Sequence, residues 1–248
     1  MRKCSYAKSG HQEAHIVTII KMFLYNCSYL FYKIVYFYKP QNFKFKFELH
    51  NNIKLNMKAK KDKKKRCEWG DFSKLSIKMQ KYHDERWCKE VHEDQELFAM
   101  LILEGAQAGL SWNTIIEKEE NFRKAFDDFD PEIVAEYDKN KIEELMNNKG
   151  IIRNRRKIEA AINNAKAFLK IQKEFGSFDK YIWGFTDGKV IDHHLKKMKD
   201  MPSKSNLSEK ISKDLKKRKF KFVGPTIIYS YLQGIGIIND HLEHCEFR

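Results

Sequence analysis

The sequence lacks an uncharged apolar run long enough to cross a membrane. Its most apolar stretch, residues 15–38, is interrupted by Lys21 and Lys33, which leave eleven uncharged residues between them. A membrane-spanning helix needs about 20. The stretch also lacks the small-residue cleavage site of a secretory signal, so neither a membrane span nor a signal peptide is predicted.

Cysteine and proline are scarce. Five cysteines in 248 residues, an odd number without tight spacing, do not make a disulfide framework, so we expect a reducing compartment. There are four prolines, and no segment alternates apolar and polar residues convincingly, so we predict no strand. A β-rich fold is therefore not expected.

Helical spacing of apolar residues recurs from Cys67 onward. Asp94 is predicted to cap one helix and Ser111 the next, while Asp130 followed by Pro131 starts a third. Further helices are predicted over residues 141–147, 155–173, 178–183, 207–218 and 225–233. The sequence thus predicts an all-α fold, a single domain of many short helices.

Positive charge is concentrated at the start of the chain. The formal net charge is +14, but residues 1–66 contain 16 Lys and Arg against 3 Asp and Glu, which leaves +1 for residues 67–248. We predict a basic, disordered leader over 1–66 and a folded domain over 67–248. Met57 is a candidate start, and both a gene-model extension and an authentic leader stay open. The basic run 58–66 is either a solvated segment or a nuclear-import or DNA-tethering arm.

Glu104 lies in the otherwise apolar segment LILEGAQAGLSW. Because an ionised carboxylate is costly to bury, this residue is either paired with an arginine or backbone N–H groups, or reserved for a ligand. Trp112, at the end of the segment, is either a core residue or a stacking platform. The segment is a candidate ligand pocket.

Two cysteines and two histidines near the ends of the domain suit a tetrahedral structural Zn²⁺ site: Cys67, His83, His241 and Cys245. Such a site would join the two ends of the domain. Spacing alone leaves rivals, because Cys88 and His92 form another i, i+4 pair and His244 is another possible ligand. Unconnected Cys and His residues are the plain alternative.

The segment LKKRKFKFVGPTIIYSYL predicts a basic helix, a short turn ending at Gly224 and a helix opening at Pro225. A glycine beside a helix N-terminus can present free backbone N–H groups to a DNA phosphate. An ordinary interhelical turn is the alternative. The positive rim would comprise Lys217, Arg218, Lys219 and Lys221, with Arg153, Arg155 and Arg156 as a second candidate contact.

Together these segments resemble the DNA-3-methyladenine glycosylase I family, monofunctional alkylation-repair enzymes of the helix-hairpin-helix superfamily. The resemblance runs from about Arg66 to Cys245 through RCEW, YHDERW, LEGAQAGLSW, the FDP near Asp130, GIIRNRRKI, KKRKFKFVGPTIIYSYLQ and NDHLEHC, in the family's order. One departure is Met79, where the family usually has a second aromatic residue.

The resemblance implies a role for each candidate residue. It implies one structural Zn²⁺ held by the four Cys and His residues, with no open coordination position. The base pocket would consist of Glu104, Tyr82 and Trp112, with the two rings sandwiching the cationic base. The DNA wedge would be Gly109 and Leu110. The phosphate-binding hairpin, residues 220–226, would use Lys219, Lys221, Gly224 and Thr226.

The implied activity is hydrolytic excision of 3-methyladenine from double-stranded DNA, by a monomer located with the DNA: in the cytoplasm of a bacterium or the nucleus of a eukaryote. A catalytically silent lesion or DNA-binding module is the alternative, and its expected mark is loss of the acidic pocket residue. A zinc hydrolase is disfavoured, because four protein ligands leave no position for an activated water.

Overall fold

The computed structural model describes residues 64–69 and 71–248, and the predicted leader lies outside them apart from its last three residues. The described part of the chain is mostly helical, as the sequence predicts. Its nine α-helices are α1 (Ile77–Lys81), α2 (Asp94–Gln107), α3 (Trp112–Ala125), α4 (Pro131–Ala135), α5 (Lys139–Asn147), α6 (Arg155–Phe175), α7 (Phe178–Trp183), α8 (Asn206–Lys217) and α9 (Pro225–Gly234).

Local capping signals fix several helix starts. The Ser111 hydroxyl accepts a hydrogen bond from the Thr114 N–H, and the Asp130 carboxylate accepts one from the Glu132 N–H at 2.8 Å, with Pro131 at the first helical position. Both predicted caps are confirmed. No described helix is long and apolar enough to span a membrane.

The prediction that Asp94 caps its own helix is wrong. Glu93 occupies the cap position, and Asp94 is already the first helical residue. Its carboxylate instead accepts hydrogen bonds of 2.8 Å from the backbone N–H groups of Phe178 and Asp179, which begin α7. It therefore satisfies the free amides of a neighbouring helix, a tertiary contact that local sequence does not encode.

The structure also corrects the prediction that the domain has no strand. Ile191–Asp192 (β1) pairs in parallel with Ile238–Asn239 (β2), and the Ile191 N–H donates to the Ile237 carbonyl at 2.8 Å. Two-residue strands are too short to show an alternating pattern. This pairing brings β2, and the metal-ligand candidates that follow it, against the core.

Helix α2 lies at the centre of the domain. Every residue from Leu97 to Ala106 is buried, and the helix packs against α3, α6 and α9. A helix buried on all sides is expected to be apolar around its whole circumference. Glu104 is the exception, so its surroundings require a specific explanation.

Candidate active site

A cavity of about 240 Å³ opens beside the C-terminal half of α2. That volume far exceeds the space of about 10–15 Å³ that one water requires. Its lining consists of four aromatic residues, two methionines and four polar residues: Trp69, Tyr82, Trp87 and Trp112; Met79 and Met201; Glu104, Gln107, Ser230 and Gln233. All three pocket residues expected from the sequence, Glu104, Tyr82 and Trp112, line this one cavity.

Glu104 is 3% exposed and, among the described residues, receives no hydrogen bond and forms no ion pair. Burial alone raises the pKa of its carboxyl group to about 8. The paired alternative from the sequence is therefore not realised. A carboxyl group that is buried, unpaired and open to a cavity is typical of a ligand-binding position.

The two expected stacking rings do not face each other. The ring centroids of Tyr82 and Trp112 lie 5.4 Å apart and their planes meet at 59°, so in this arrangement they form adjoining walls with no parallel gap for a base between them. The Trp112 Nε1 atom is buried, and no described group bonds it. That N–H is a free donor beside the cavity.

A π-helical turn, Tyr82–Arg86, links the pocket to the Cys and His cluster. Its i to i+5 hydrogen bond runs from the Trp87 N–H to the Tyr82 carbonyl at 2.8 Å. Tyr82 lines the cavity, whereas the next residue, His83, is fully buried on the other side. Single π-turns occur often at functional sites.

The four predicted ligands meet in one cluster. The ligand atoms of Cys67, His83, His241 and Cys245 lie within 4.8 Å of one another. Cys245 Sγ is 3.3 Å from His241 Nδ1 and 3.9 Å from His83 Nε2, and Cys67 Sγ is 3.4 Å from His241 Nδ1. Tetrahedral Zn²⁺ with bonds of about 2.0–2.3 Å separates its ligand atoms by about 3.3–3.8 Å. The donors are thus spaced to hold one metal ion.

The outer contacts of the cluster orient its rings for a cation. His83 Nδ1 donates to Asp84 at 2.8 Å and His241 Nε2 donates to the Trp87 carbonyl at 3.1 Å, which leaves the inner nitrogens free to ligate. Arg66 in turn pairs with Asp84 at 2.8 Å. Burial raises the pKa of the Cys67 thiol to about 12, so the thiolate form would need the positive charge of a bound cation.

The rival ligands are engaged elsewhere. Cys88 Sγ accepts a hydrogen bond from the Asp240 N–H. His92 contacts Asp179 at 2.7 Å, and the exposed His244 faces the Arg66 carbonyl. None of the three belongs to the cluster, so the geometry selects one set of four from the seven candidate residues.

The predicted wedge occupies the loop between α2 and α3. Gly109 has φ +78°, which favours glycine, and Leu110 is 38% exposed, an apolar side chain beside the pocket-lining residues Gln107 and Trp112. The Lys157 ammonium donates to the carbonyls of Ala106 and Ala108 at 2.8 and 2.7 Å. This lysine caps the C-terminal end of α2 and fixes the base of the loop.

Residues 218–224 form the turn between α8 and α9. Asn164, 3% exposed, donates to the Lys221 carbonyl and accepts from the Lys221 N–H, at 2.9 and 2.8 Å. The Ser212 hydroxyl donates to the Val223 carbonyl at 2.6 Å. The N-cap of α9 is Gly224, and no side chain in the described part of the chain caps this helix. These hydrogen bonds hold the turn rigidly, and the first backbone N–H groups of α9 remain available to a ligand.

The predicted positive rim divides into paired and unpaired residues. Arg218 is bound by Glu174 and Asp214, and Arg155 by Glu143. The other five residues form no ion pair with a described residue: Lys217, Lys219, Lys221, Arg153 and Arg156. Of these, Lys219 and Lys221 lie in the turn that leads into α9.

Asn164→Ala tests the rigidity of the turn. Because the variant removes both hydrogen bonds that hold the backbone N–H and C=O of Lys221, we expect it to cost about 2 kcal/mol of unfolding free energy. Asn163→Ala, the matched control, removes a hydrogen bond of 2.7 Å to the Lys219 carbonyl and a long one of 3.4 Å to Asn164 Oδ1, and should cost less than about 1 kcal/mol. Urea unfolding of both variants measures this, and equal costs would contradict a special role for Asn164.

Residues 72–248 match the family model for methyladenine glycosylase. The chain is also 41% identical over 180 residues to a DNA-3-methyladenine glycosylase from Haemophilus influenzae, covering 73% of this chain and 96% of that protein. The chain belongs to the methyladenine glycosylase family. DNA-3-methyladenine glycosylase 1 from Escherichia coli is 41% identical as well, with 73% and 95% covered.

Solved structures of methyladenine glycosylases share the fold. One crystal structure of 3-methyladenine DNA glycosylase I has a TM-score of 0.70 at 40% identity and covers 73% of this chain and 98% of its own. A Staphylococcus aureus enzyme, whose structure describes 3-methyladenine recognition, has a TM-score of 0.69 at 37% identity, with 71% and 94% covered. The family-model match over residues 72–248 includes α2 and α3.

Sequence reasoning missed several residues of this site. Trp69 and Trp87 contact each other at 4.7 Å between ring centroids and line the cavity. Both tryptophans could have been noticed in the sequence, because Trp69 follows Cys67 closely and Trp87 follows His83 closely. Asn164 was also detectable, because it is a polar residue on the otherwise apolar face of α6. Gln233 is likewise a buried polar residue in the mostly apolar α9, but the orientation of its amide has no signal in the sequence.

Proposed function

We propose that this protein is a DNA repair N-glycosylase that excises 3-methyladenine from DNA. The observation that carries the proposal is Glu104, a buried carboxyl group that has no partner among residues 64–69 and 71–248 and lies in a cavity with aromatic walls. An adenine methylated at N3 is cationic, so it can supply the positive charge that this carboxyl group lacks. The membership of the methyladenine glycosylase family supports the same substrate.

The chemistry of the substrate makes recognition the main task. When the bond between C1′ and N9 breaks, the departing base keeps the bonding electron pair and leaves neutral, because its positive charge is cancelled. Water adds to C1′ and releases a proton. A cationic base is a good leaving group, so the protein must chiefly flip the nucleotide out and hold it, at a cost of a few kcal/mol for unstacking.

Glu104 provides the discrimination. Its raised pKa shows that ionisation in the empty cavity is unfavourable. A cationic base repays that cost, whereas a neutral adenine does not. The aromatic walls from Tyr82 and Trp112 add stacking and cation–π attraction, on the order of 1–3 kcal/mol.

We propose that the Cys and His cluster holds one structural Zn²⁺ through Cys67, His83, His241 and Cys245. Four protein ligands suit a structural ion, which when bound supplies a cross-link between the ends of the domain. The residues around it have a positional role. Trp87 packs on His241 at 4.6 Å and lines the cavity, so the cluster supports one wall of the base pocket.

We assign DNA contact to two segments: the turn between α8 and α9, and the loop between α2 and α3. In the proposed helix-hairpin-helix element, α8 and α9 flank the turn, and Gly224 and Thr226 at the open N-terminus of α9 would bind a backbone phosphate, together with Lys219 and Lys221. Leu110, exposed on the loop fixed by Lys157, would fill the gap left by the flipped base.

The remaining assignments concern the whole chain. We propose that the domain over residues 67–248 acts as a monomer on double-stranded DNA, located with the DNA of the cell, and that the basic leader over residues 1–66 adds non-specific affinity for DNA. Arg66 also contacts Asp84, so a truncation designed to test the leader should keep Lys64 and everything after it.

Release of free base decides the proposed function. The purified full chain is incubated with DNA methylated by an alkylating agent, and the released bases are separated and quantified, with unmethylated DNA as control. We expect 3-methyladenine to appear at a rate proportional to enzyme. Binding of methylated DNA without release of base would instead support the silent lesion-binding module.

A double variant of the turn tests the phosphate assignment. Lys219→Ala with Lys221→Ala should weaken binding to damaged and undamaged DNA by the same factor, because phosphate contacts position the protein without reading the base. It should also reduce the slope of log affinity against log salt by about 2. Titrations at several salt concentrations measure both. A loss confined to damaged DNA would contradict the assignment.

A further inference from the structure

The side-chain amide of Gln233 is held in one orientation at the cavity wall. Gln233 is 6% exposed and lines the cavity. Its Nε2 donates to Asp240 Oδ2 at 2.6 Å and to Met201 Sδ at 3.4 Å, so both amide hydrogens are used. A carboxylate and a thioether only accept, which fixes the nitrogen toward them.

Asp240 is itself fixed from three sides. It is fully buried, its Oδ2 also accepts from the Tyr229 hydroxyl, and its Oδ1 accepts from His193 Nδ1 at 2.6 Å. The backbone N–H of Asp240 donates to Cys88. A buried acceptor that is surrounded by donors does not rotate freely, and neither does the amide that depends on it.

The Gln233 carbonyl oxygen consequently faces accessible space. Among the described residues, Trp112 Nε1 is the one fully enclosed side-chain nitrogen or oxygen without a hydrogen-bond partner. Gln233 Oε1 has no described partner either, so it is not fully enclosed, and the accessible space beside Gln233 is the cavity. The cavity thus contains a second fixed acceptor besides Glu104.

We infer that Gln233, positioned by Asp240, reads the amino group at C6 of the bound base and thereby selects adenine over guanine. The inference rests on the proposed function and names a residue that determines which methylated base the protein accepts. Adenine carries a donor at C6, whereas guanine carries an oxygen there, and an acceptor that meets another acceptor is left unpaired in a buried site. The orientation from Asp240 is essential, because a freely turning amide would suit either base.

Variants of Gln233 and Asp240 test the inference through a ratio of two substrates. Gln233→Met keeps the side-chain length and removes the acceptor. It should lower excision of 3-methyladenine at least about tenfold and leave excision of 3-methylguanine unchanged or raised. Asp240→Asn should shift the ratio in the same direction by about threefold or more, because it frees the amide to turn. Tyr229→Phe, the control, keeps the bond from Gln233 to Asp240 and should hold the ratio within about twofold.

Equal losses for the two substrates in Gln233→Met would mean a merely structural role and would overturn the inference. A second measurement needs only the wild-type protein: free 3-methyladenine and 3-methylhypoxanthine, which has oxygen at C6, are compared as ligands. We expect the second to bind at least about tenfold more weakly. Equal affinity would overturn the inference. Failure of the wild type to excise any base would refute the proposed function. The same ligand comparison in Gln233→Met would still decide the role of Gln233, because the preference for 3-methyladenine should be lost there.

Discussion

Glu104→Gln is expected to lower the rate of 3-methyladenine excision at least about tenfold. The variant keeps the shape of the side chain and removes the charge that matches the cationic base, and a lost charge-assisted hydrogen bond costs about 1.5 kcal/mol or more in the transition state. Single-turnover kinetics on a lesion-bearing duplex measures the effect. Glu117→Gln, an exposed carboxylate on α3, is the matched control and should leave the rate unchanged.

The pH dependence of the wild type sharpens this test. Because burial raises the pKa of Glu104 to about 8, the free protein carries a neutral acid there at pH 7. Recognition of the cation requires the carboxylate, so kcat/KM for 3-methyladenine should rise as the pH approaches about 8 and then level off. Glu104→Gln should lose this dependence. A pH profile that is identical in the two proteins would contradict the role of Glu104.

The same group links stability to pH. The carboxyl group of Glu104 has a higher pKa in the folded than in the unfolded state, so the unfolded state loses its proton first as the pH rises. Its contribution to the free energy of unfolding is therefore fully present below about pH 4.5 and is lost as the pH rises to about 8. The loss is on the order of 4 kcal/mol. Glu104→Gln should therefore be more stable than the wild type at pH 8 and equal to it at pH 4. Chemical denaturation at the two pH values tests the sign.

The features that the sequence could predict depend on residues that are close in the sequence or on residue types with few alternative roles. Ser111 and Asp130 cap their own helices through atoms two or three residues away. The Cys and His set was identifiable because zinc accepts few ligand types, and a conspicuous charge in an apolar run marked Glu104. Such features can be recognised from the sequence without knowledge of the tertiary structure.

The features that escaped prediction depend on elements distant in sequence. Asp94 looks like a local cap but serves α7, and the two short strands are defined only by each other. The angle between the Tyr82 and Trp112 rings depends on how the π-turn packs against α3. The orientation of Gln233 is set by Asp240, a buried acid beyond the end of its helix, so the second acceptor of the pocket could be found only from contacts.

Loss of the proposed zinc ion is expected to have the largest effect on stability. Cys245→Ser exchanges a soft thiolate ligand for a hydroxyl and should reduce the bound zinc well below one ion per chain. The cluster joins Cys67 to residues near the C-terminus, so its loss releases a long closed loop in the unfolding equilibrium. We expect the melting temperature to fall by about 10 °C or more, which corresponds to several kcal/mol for a domain of this size.

Metal analysis together with calorimetry tests this expectation. Cys88→Ser is the matched control: this buried cysteine lies outside the cluster, so one zinc per chain should be retained. Because Trp87 packs on His241 and lines the cavity, the folded fraction of Cys245→Ser should also show a raised KM for lesion-bearing DNA, with kcat less affected. A metal-free protein that melts at the temperature of the wild type would show that these four residues do not fasten the ends of the domain.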